Sequence, residues 1–97
     1  MELVEIERDL IDRCVQRDPV ALSDLYDRHV GHAYALALTL STDTAQANAL
    51  IERAFLTIWE RADRYRERPG QLEVRTWVLG LVRYYAKLAH HNDTKRS

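Results

Sequence analysis

Cysteine, proline and glycine are all scarce in this chain, with one, two and three residues respectively among 97. The single cysteine, Cys14, excludes an internal disulfide and a cysteine-based zinc knuckle, so a reducing, cytoplasmic environment is the simplest expectation. No apolar run approaches the roughly 20 residues that a membrane-spanning helix needs. The acidic start M-E-L-V-E-I-E-R-D also lacks the pattern of a signal peptide. We therefore expect one small cytoplasmic domain over residues 1–97, with no membrane partner.

Sequence patterns that would indicate catalysis are missing as well. There is no glycine-rich phosphate loop, no nucleophile with a placed base and no carboxylate pair on a strand scaffold. His29 and His32 stand three residues apart, but a metal site there would need Asp24 or Asp27 as a further ligand. We expect neither a metal nor any other cofactor, and a binding protein rather than an enzyme.

Charge is divided unevenly along the chain. Residues 1–60 carry a net charge of −6 and residues 61–97 a net charge of +5, which together give the overall −1. A split of this kind suggests two partners, one of them acidic, such as nucleic acid. Chance segregation of charges on solvated helices is the alternative.

Hydrophobic residues recur at spacings of three and four throughout, and no segment alternates as a strand would. The pattern predicts helices over 2–16, 18–40, 44–65 and 71–90, with a frayed tail over 91–97. Leu22, Leu25, Tyr26 and Leu40 belong to the predicted apolar stripe of the second helix. Because the breaks between helices are short, neighbouring helices should be antiparallel. The predicted fold is a compact, all-α, four-helix domain.

The stretch from Trp59 to Lys87 alternates basic and aromatic residues around the break Pro69-Gly70. Arginines supply phosphate contacts, and aromatic rings supply faces on which unpaired bases stack. Tyr85 fits the inner stripe of the fourth helix, so Tyr84 should point outward. Trp77 has two interpretations, a core anchor and a contact to a base, and the large contribution of buried aromatic rings to core packing favours the core anchor.

Four segments in order resemble region 2 of extracytoplasmic-function sigma factors, the promoter-recognition subunits of bacterial RNA polymerase. They are L-I-D-R-C followed by D-P-V-A-L-S-D-L-Y-D-R (residues 10–28), Y-A-L-A-L (34–38), A-F-L-T-I-W-E-R-A (54–62), and R-T-W-V-L with the following V-R and A-K (75–87). The likeness covers about residues 8–90. It implies the sigma region 2 fold and a role in transcription initiation.

The resemblance also implies two binding surfaces. In the family, the third helix docks on the clamp helices of the largest polymerase subunit. The following loop and fourth helix open the minus-ten promoter element and hold it as single-stranded DNA. The implied polymerase-binding residues are Asn48, Glu52, Arg53, Leu56 and Glu60. The implied DNA-binding residues are Arg66, Arg68, Arg75, Trp77, Arg83, Tyr84 and Lys87. An anti-sigma factor is a further partner that the family suggests.

Two positions depart from the family pattern. Ala47-Asn48-Ala49 stands where family members usually carry an acidic A-E-D cluster, and Tyr84 stands where many carry asparagine. A tyrosine stacks on a base but lacks the paired donor and acceptor of an amide. These departures leave open a sigma-like protein-interaction module without promoter recognition. A helical RNA-binding module is a further alternative, which only the family likeness separates from the DNA-binding interpretation.

Overall fold

The computed structural model describes residues 3–66 and 73–96. These residues form four α-helices and no strand: α1 (Leu3–Val15), α2 (Pro19–Leu40), α3 (Thr44–Arg66) and α4 (Val74–Arg96). The prediction of an all-α, four-helix fold is confirmed, and α2 and α3 begin at the expected residues. α4 extends to Arg96, beyond the predicted end of the fourth helix at residue 90.

α1 ends in a left-handed turn at Arg17, whose φ is 64°. The amide of Arg17 donates to the carbonyl of Cys14 at 3.0 Å, and the amide of Asp18 donates to the carbonyl of Arg13 at 2.9 Å. This pair of bonds is the Schellman arrangement, in which glycine is the usual residue at the left-handed position. The turn reverses the chain within three residues, so α1 and α2 pack side by side.

Asp18 begins α2 and fastens it to α1. One carboxylate oxygen accepts a hydrogen bond from the amide of Val20 at 3.0 Å, as expected of a residue that caps a helix. The other oxygen accepts two bonds from the guanidinium of Arg13, at 2.9 and 2.8 Å. Pro19 occupies the first helical position, where its missing amide donor is not needed. The dipeptide Asp18-Pro19 thus acts as the start signal that the sequence indicates.

The turn between α2 and α3 is closed by reciprocal hydrogen bonds. Asp43 accepts from the amide of Gln46 at 2.8 Å, and the side-chain oxygen of Gln46 accepts from the amide of Thr42 at 2.8 Å. Such exchange satisfies donors that the first turn of a helix leaves unpaired. Gln46 therefore has a structural role in this chain, next to the stretch where the sigma family carries acidic residues.

Contacts between helices give the order in which they pack. Tyr26 of α2 lies edge-on against Phe55 of α3, with ring centroids 5.0 Å apart, which together with the short turn makes α2 and α3 antiparallel. Tyr65 and Trp77 stack near the junction of α3 and α4, while Thr57 meets Tyr85 farther along both helices. That reversed order makes α3 and α4 antiparallel as well. Antiparallel packing of neighbouring helices follows from their short connections.

A line of residues at intervals of four, three of them alanine, is buried where α2 faces the bundle. Its members are Ala21, Leu25, His29, Ala33 and Ala37. Two members of the predicted apolar stripe, Tyr26 and Leu40, are instead 41% and 44% exposed. Small side chains let neighbouring helices approach closely, so the larger residues are displaced to the edges of the contact. The remaining core comes from the inner faces of the other helices: Leu10, Ile11, Cys14, Ala47, Leu50, Ile51, Ala54, Phe55, Ile58, Ala62, Val74, Val78 and Val82.

α3 is interrupted at Arg61, whose φ and ψ of −120° and 23° are not helical. The guanidinium of Arg17 donates a hydrogen bond to the carbonyl of Trp59, two residues before the interruption. A donor from outside the helix satisfies a carbonyl in a turn where the regular ladder is disturbed. The last turn of α3 thereby changes direction, and Tyr65 reaches Trp77 at the start of α4.

Candidate functional site

The outer face of α4 carries the exposed basic and aromatic residues. Val74, Val78 and Val82 are buried at intervals of four, which fixes the rotation of the helix about its axis. Residues on the opposite side are therefore directed to solvent, among them Arg83, Tyr84 and Lys87. This is the surface that the sequence assigns to nucleic acid, and we call Arg83, Tyr84 and Lys87 the α4 outer face.

Tyr84 is the most exposed aromatic residue of that face, with 55% of its surface accessible. Its ring stands edge-on to the ring of Tyr85, with centroids 5.1 Å apart and an interplanar angle of 76°. Tyr85 is half-buried, as expected from its place on the inner stripe. Tyr84 therefore points outward and Tyr85 inward, as the sequence predicts. The flat face of Tyr84 is available to a stacking partner.

The position of Tyr85 is fixed by α3. Its hydroxyl lies 2.7 Å from the hydroxyl of the buried Thr57. The Thr57 hydroxyl donates its proton to the carbonyl of Arg53 at 2.9 Å, so the Tyr85 hydroxyl donates to Thr57. The guanidinium of Arg53 lies over the ring of Tyr85, 5.3 Å from its centroid. Arg53 is one of the predicted polymerase-binding residues, but its guanidinium packs against α4.

Trp77 stacks on Tyr65 of α3, with centroids 5.2 Å apart and planes inclined by 17°. Both rings are half-buried against the hydrophobic core. Loss of solvent raises the pKa of the Tyr65 hydroxyl above its usual range. Trp77 thus anchors the start of α4, and its partial exposure leaves an edge at the surface.

Arg75 turns from the outer face of α4 towards α2. Its Nε donates to Nδ1 of His29 at 3.4 Å. His29 is only 2% exposed, and its Nε2 lies 2.8 Å and 3.1 Å from the two carboxylate oxygens of Glu7 on α1. Three helices are therefore joined through one buried imidazole. His32, the other histidine of the pair noted in the sequence, is exposed and lies apart from this contact.

A groove of about 450 Å³ lies between the last residue of α2 and the C-terminal half of α4. Leu40 and Ala86 supply its apolar part. Its basic and imidazole side chains are Arg83, Lys87, His90 and His91. Because Arg83 and Lys87 belong to both surfaces, the groove is continuous with the α4 outer face. Sequence analysis did not identify this groove, since Leu40 was assigned to the core.

The predicted polymerase face is an exposed strip on α3. Asn48, Glu52, Leu56 and Glu60 recur at intervals of four and are all exposed, and Leu56 has 43% of its surface accessible. Residues at this spacing share one side of a helix. The structure thus presents one apolar side chain flanked by two carboxylates, which is a feasible contact surface for another protein.

The predicted DNA-binding residues whose side chains are described have different neighbours. Arg83, Tyr84 and Lys87 lie together, whereas Arg75 faces α2 and Trp77 faces α3. Arg66 is the last residue of α3. Arg68 and the Pro69-Gly70 break lie outside the described residues.

Cys14 is fully buried, as its apolar stripe predicts. Burial raises the pKa of its thiol, with the negative charge of Asp18 acting in the same direction. A buried thiol held in its neutral form is a poor nucleophile. Cys14 therefore serves packing.

No protein family, curated protein or solved structure matches this chain. Within residues 3–66 and 73–96, no helix combines the length and apolar character needed to cross a membrane.

Proposed function

We propose that this chain is a sigma region 2-like domain of transcription initiation. In this proposal the exposed strip of α3 binds the clamp helices of core RNA polymerase, and the α4 outer face holds the melted minus-ten element as single-stranded DNA. The domain performs no chemistry of its own. The four ordered sequence segments that resemble the sigma family support the proposal. Two of these segments also contribute exposed side chains, Leu56 and Glu60 on α3 and Arg83 and Lys87 on α4.

The observation that carries the DNA proposal is the exposure of Tyr84 between two cations. Arg83 precedes it and Lys87 follows within one helical turn, and all three side chains are exposed. Stacking on an aromatic ring is worth about 1–3 kcal/mol per base, while nearby cations attract the phosphates. A face of this composition suits an unpaired strand better than a duplex, whose bases are already stacked.

The polymerase proposal rests on the strip of α3. Leu56 is exposed on a face with Glu52 and Glu60, where burial of an apolar side chain would favour docking. The carboxylates would complement a basic partner surface. Since Arg53 packs over Tyr85, we expect its substitution to affect the packing of α4 as well as docking.

A protein-interaction module is the second candidate. Asn48 and Ala49 are exposed and uncharged at the place where the sigma family carries an acidic cluster. The groove at the end of α2 adds an apolar surface that includes the 44% exposed Leu40. A regulator such as an anti-sigma factor, or a second copy of the chain, would then be the partner.

Binding to a labelled, AT-rich single-stranded DNA pool across a salt series tests the first candidate. We expect the logarithm of the affinity to fall linearly with the logarithm of salt, by about 0.7 for each phosphate contacted. We also expect selection of a short motif. If the folded chain shows no binding at low salt, the DNA proposal is wrong. Tighter binding to RNA of matched sequence would favour the RNA-binding alternative.

Capture by an isolated clamp-helix fragment tests the polymerase contact. Leu56→Asp should weaken capture, because it places a charge in the apolar centre of the proposed interface. Leu38→Asp is the matched control, since Leu38 on α2 is 42% exposed and Leu56 is 43% exposed. Equal capture of both variants and the unmodified chain would contradict docking through α3. Light scattering that shows a stable dimer would favour the second candidate.

A further inference from the structure

The contact of His29 with Glu7 and Arg75 is the most enclosed polar arrangement in the described residues. His29 lies in the buried line of α2, where its neighbours at intervals of four are alanine and leucine. A polar side chain at such a position requires hydrogen-bond partners, because an unsatisfied buried polar group costs free energy. Glu7 from α1 and Arg75 from α4 supply them.

The two partners determine which nitrogen of His29 carries a proton. Arg75 only donates hydrogen bonds, so Nδ1 must accept and must be unprotonated. The Glu7 carboxylate accepts, so Nε2 must donate. The contact as a whole is therefore satisfied by the neutral imidazole protonated at Nε2. The positions of the heavy atoms determine this assignment.

The same contact restrains Arg75. Its Nε is used by His29, which leaves the two terminal nitrogens of the guanidinium as donors for another group. Arg75 lies in the first turn of α4 and is half-buried. A guanidinium held by a buried partner loses less conformational entropy when it binds an oxyanion than a free side chain does.

We propose that His29 is a positioning residue, which holds Arg75 so that its free guanidinium edge contacts a phosphate of the bound strand. This proposal rests on the proposed DNA-binding function and adds a part that the sequence did not indicate. Glu7 in turn orients the imidazole. Neither His29 nor Glu7 touches the nucleic acid.

Nitrogen NMR tests the contact without DNA, in a chain whose His32, His90 and His91 are changed to glutamine so that His29 is the only histidine. We expect a neutral ring that carries its proton on Nε2, and an Arg75 Nε–H signal that is protected from exchange. A neutral ring protonated at Nδ1, or an unprotected Arg75 Nε–H, would overturn the proposal.

Two substitutions at His29 separate its two contacts. The amide oxygen of asparagine lies near the place of Nδ1, and the amide nitrogen of glutamine lies near the place of Nε2. His29→Asn should therefore keep DNA affinity. His29→Gln should weaken it roughly tenfold, the loss expected for one charge-assisted hydrogen bond. In an Arg75→Ala background, His29→Gln should cause no further loss.

Equal losses from His29→Gln with and without Arg75 would show that the histidine acts through the fold alone. If either variant does not fold, the NMR measurement on the single-histidine chain decides, since it needs no change in the core. Absence of DNA binding by the folded chain would overturn the proposed function and the phosphate role together. Intact DNA binding that His29→Gln does not weaken would overturn only the role of His29.

Discussion

The guanidinium of Arg17 lies over the indole ring of Trp59, 5.2 Å from its centroid, and donates a hydrogen bond to the carbonyl of the same residue. Arg17 occupies the left-handed turn that joins α1 to α2, while Trp59 precedes the interruption of α3 at Arg61. One side chain thus connects the chain reversal at the N-terminal end with the bend that directs α3 towards α4.

Two substitutions of Arg17 separate the effect of its side-chain contact from the effect of its left-handed backbone. Arg17→Ala removes the contact to Trp59 and keeps a side chain in the left-handed region, whereas Arg17→Gly removes the contact and relieves the backbone. We expect the glycine variant to be more stable than the alanine variant by about 1 kcal/mol. Thermal and urea denaturation would measure the difference. An alanine variant as stable as the glycine variant would contradict a left-handed Arg17.

A second prediction concerns the hydroxyl pair between α3 and α4. Thr57→Val preserves shape and leaves the Tyr85 hydroxyl without its partner, at a cost of about 1–3 kcal/mol in the free energy of unfolding. Thr57→Ser is the matched control because it keeps the hydroxyl. In a Tyr85→Phe background, Thr57→Val should cost less. Additive losses in the double variant would show that the two hydroxyls do not interact.

A third prediction uses Gly31, which lies inside α2. A Cβ built at this position meets nothing within 4 Å, so the residue is not needed for close helix packing. Gly31→Ala should raise the free energy of unfolding by about 0.4–1 kcal/mol, because alanine restricts the unfolded chain and favours the helix. Denaturant unfolding measures this. A destabilised variant would indicate that another group approaches Gly31 closely.

The fourth prediction concerns pH and the start of α2. The hydrogen bond from Arg13 is the largest cause that lowers the pKa of Asp18, and the amide of Val20 acts in the same direction. Because the folded-state pKa is depressed, this contribution to stability is complete above the ordinary aspartate pKa of about 3.9. It is lost as pH falls through the lower folded value.

Melting temperatures measured between about pH 6 and about pH 2 would check this. Asp18→Asn keeps a capping group and removes the titrating charge, so its melting temperature should fall less on acidification than that of the unmodified chain. Identical pH profiles for the two proteins would exclude Asp18 as a source of acid sensitivity.

The sequence was sufficient for the helices and for the outward direction of Tyr84, because helical periodicity and the Asp18-Pro19 start signal are local. The buried line of α2 was predictable only in part. Leu25 belongs to the predicted apolar stripe and is buried, whereas His29 carries no apolar signal, and Tyr26 and Leu40 of the same stripe are exposed.

His29 shows the same limit at the candidate site. Its partners, Glu7 and Arg75, are 22 and 46 positions away in the sequence. Only the packing of α1 and α4 on α2 brings the three together, so the histidine was considered first as a metal ligand. The groove beside Leu40 likewise depends on where α4 passes the end of α2. The single sequence signal for His29 was its interval of four from Leu25 and Ala33.

Comparison of Arg83→Ala with Arg28→Ala in single-stranded DNA binding tests the role of the α4 outer face most directly. Both arginines are exposed, but Arg28 lies on α2, away from the outer face of α4. Arg83→Ala should weaken binding and reduce the salt slope by about 0.7, while Arg28→Ala should change neither. Equal affinity and equal salt slope for both variants and the unmodified chain would contradict DNA binding on α4.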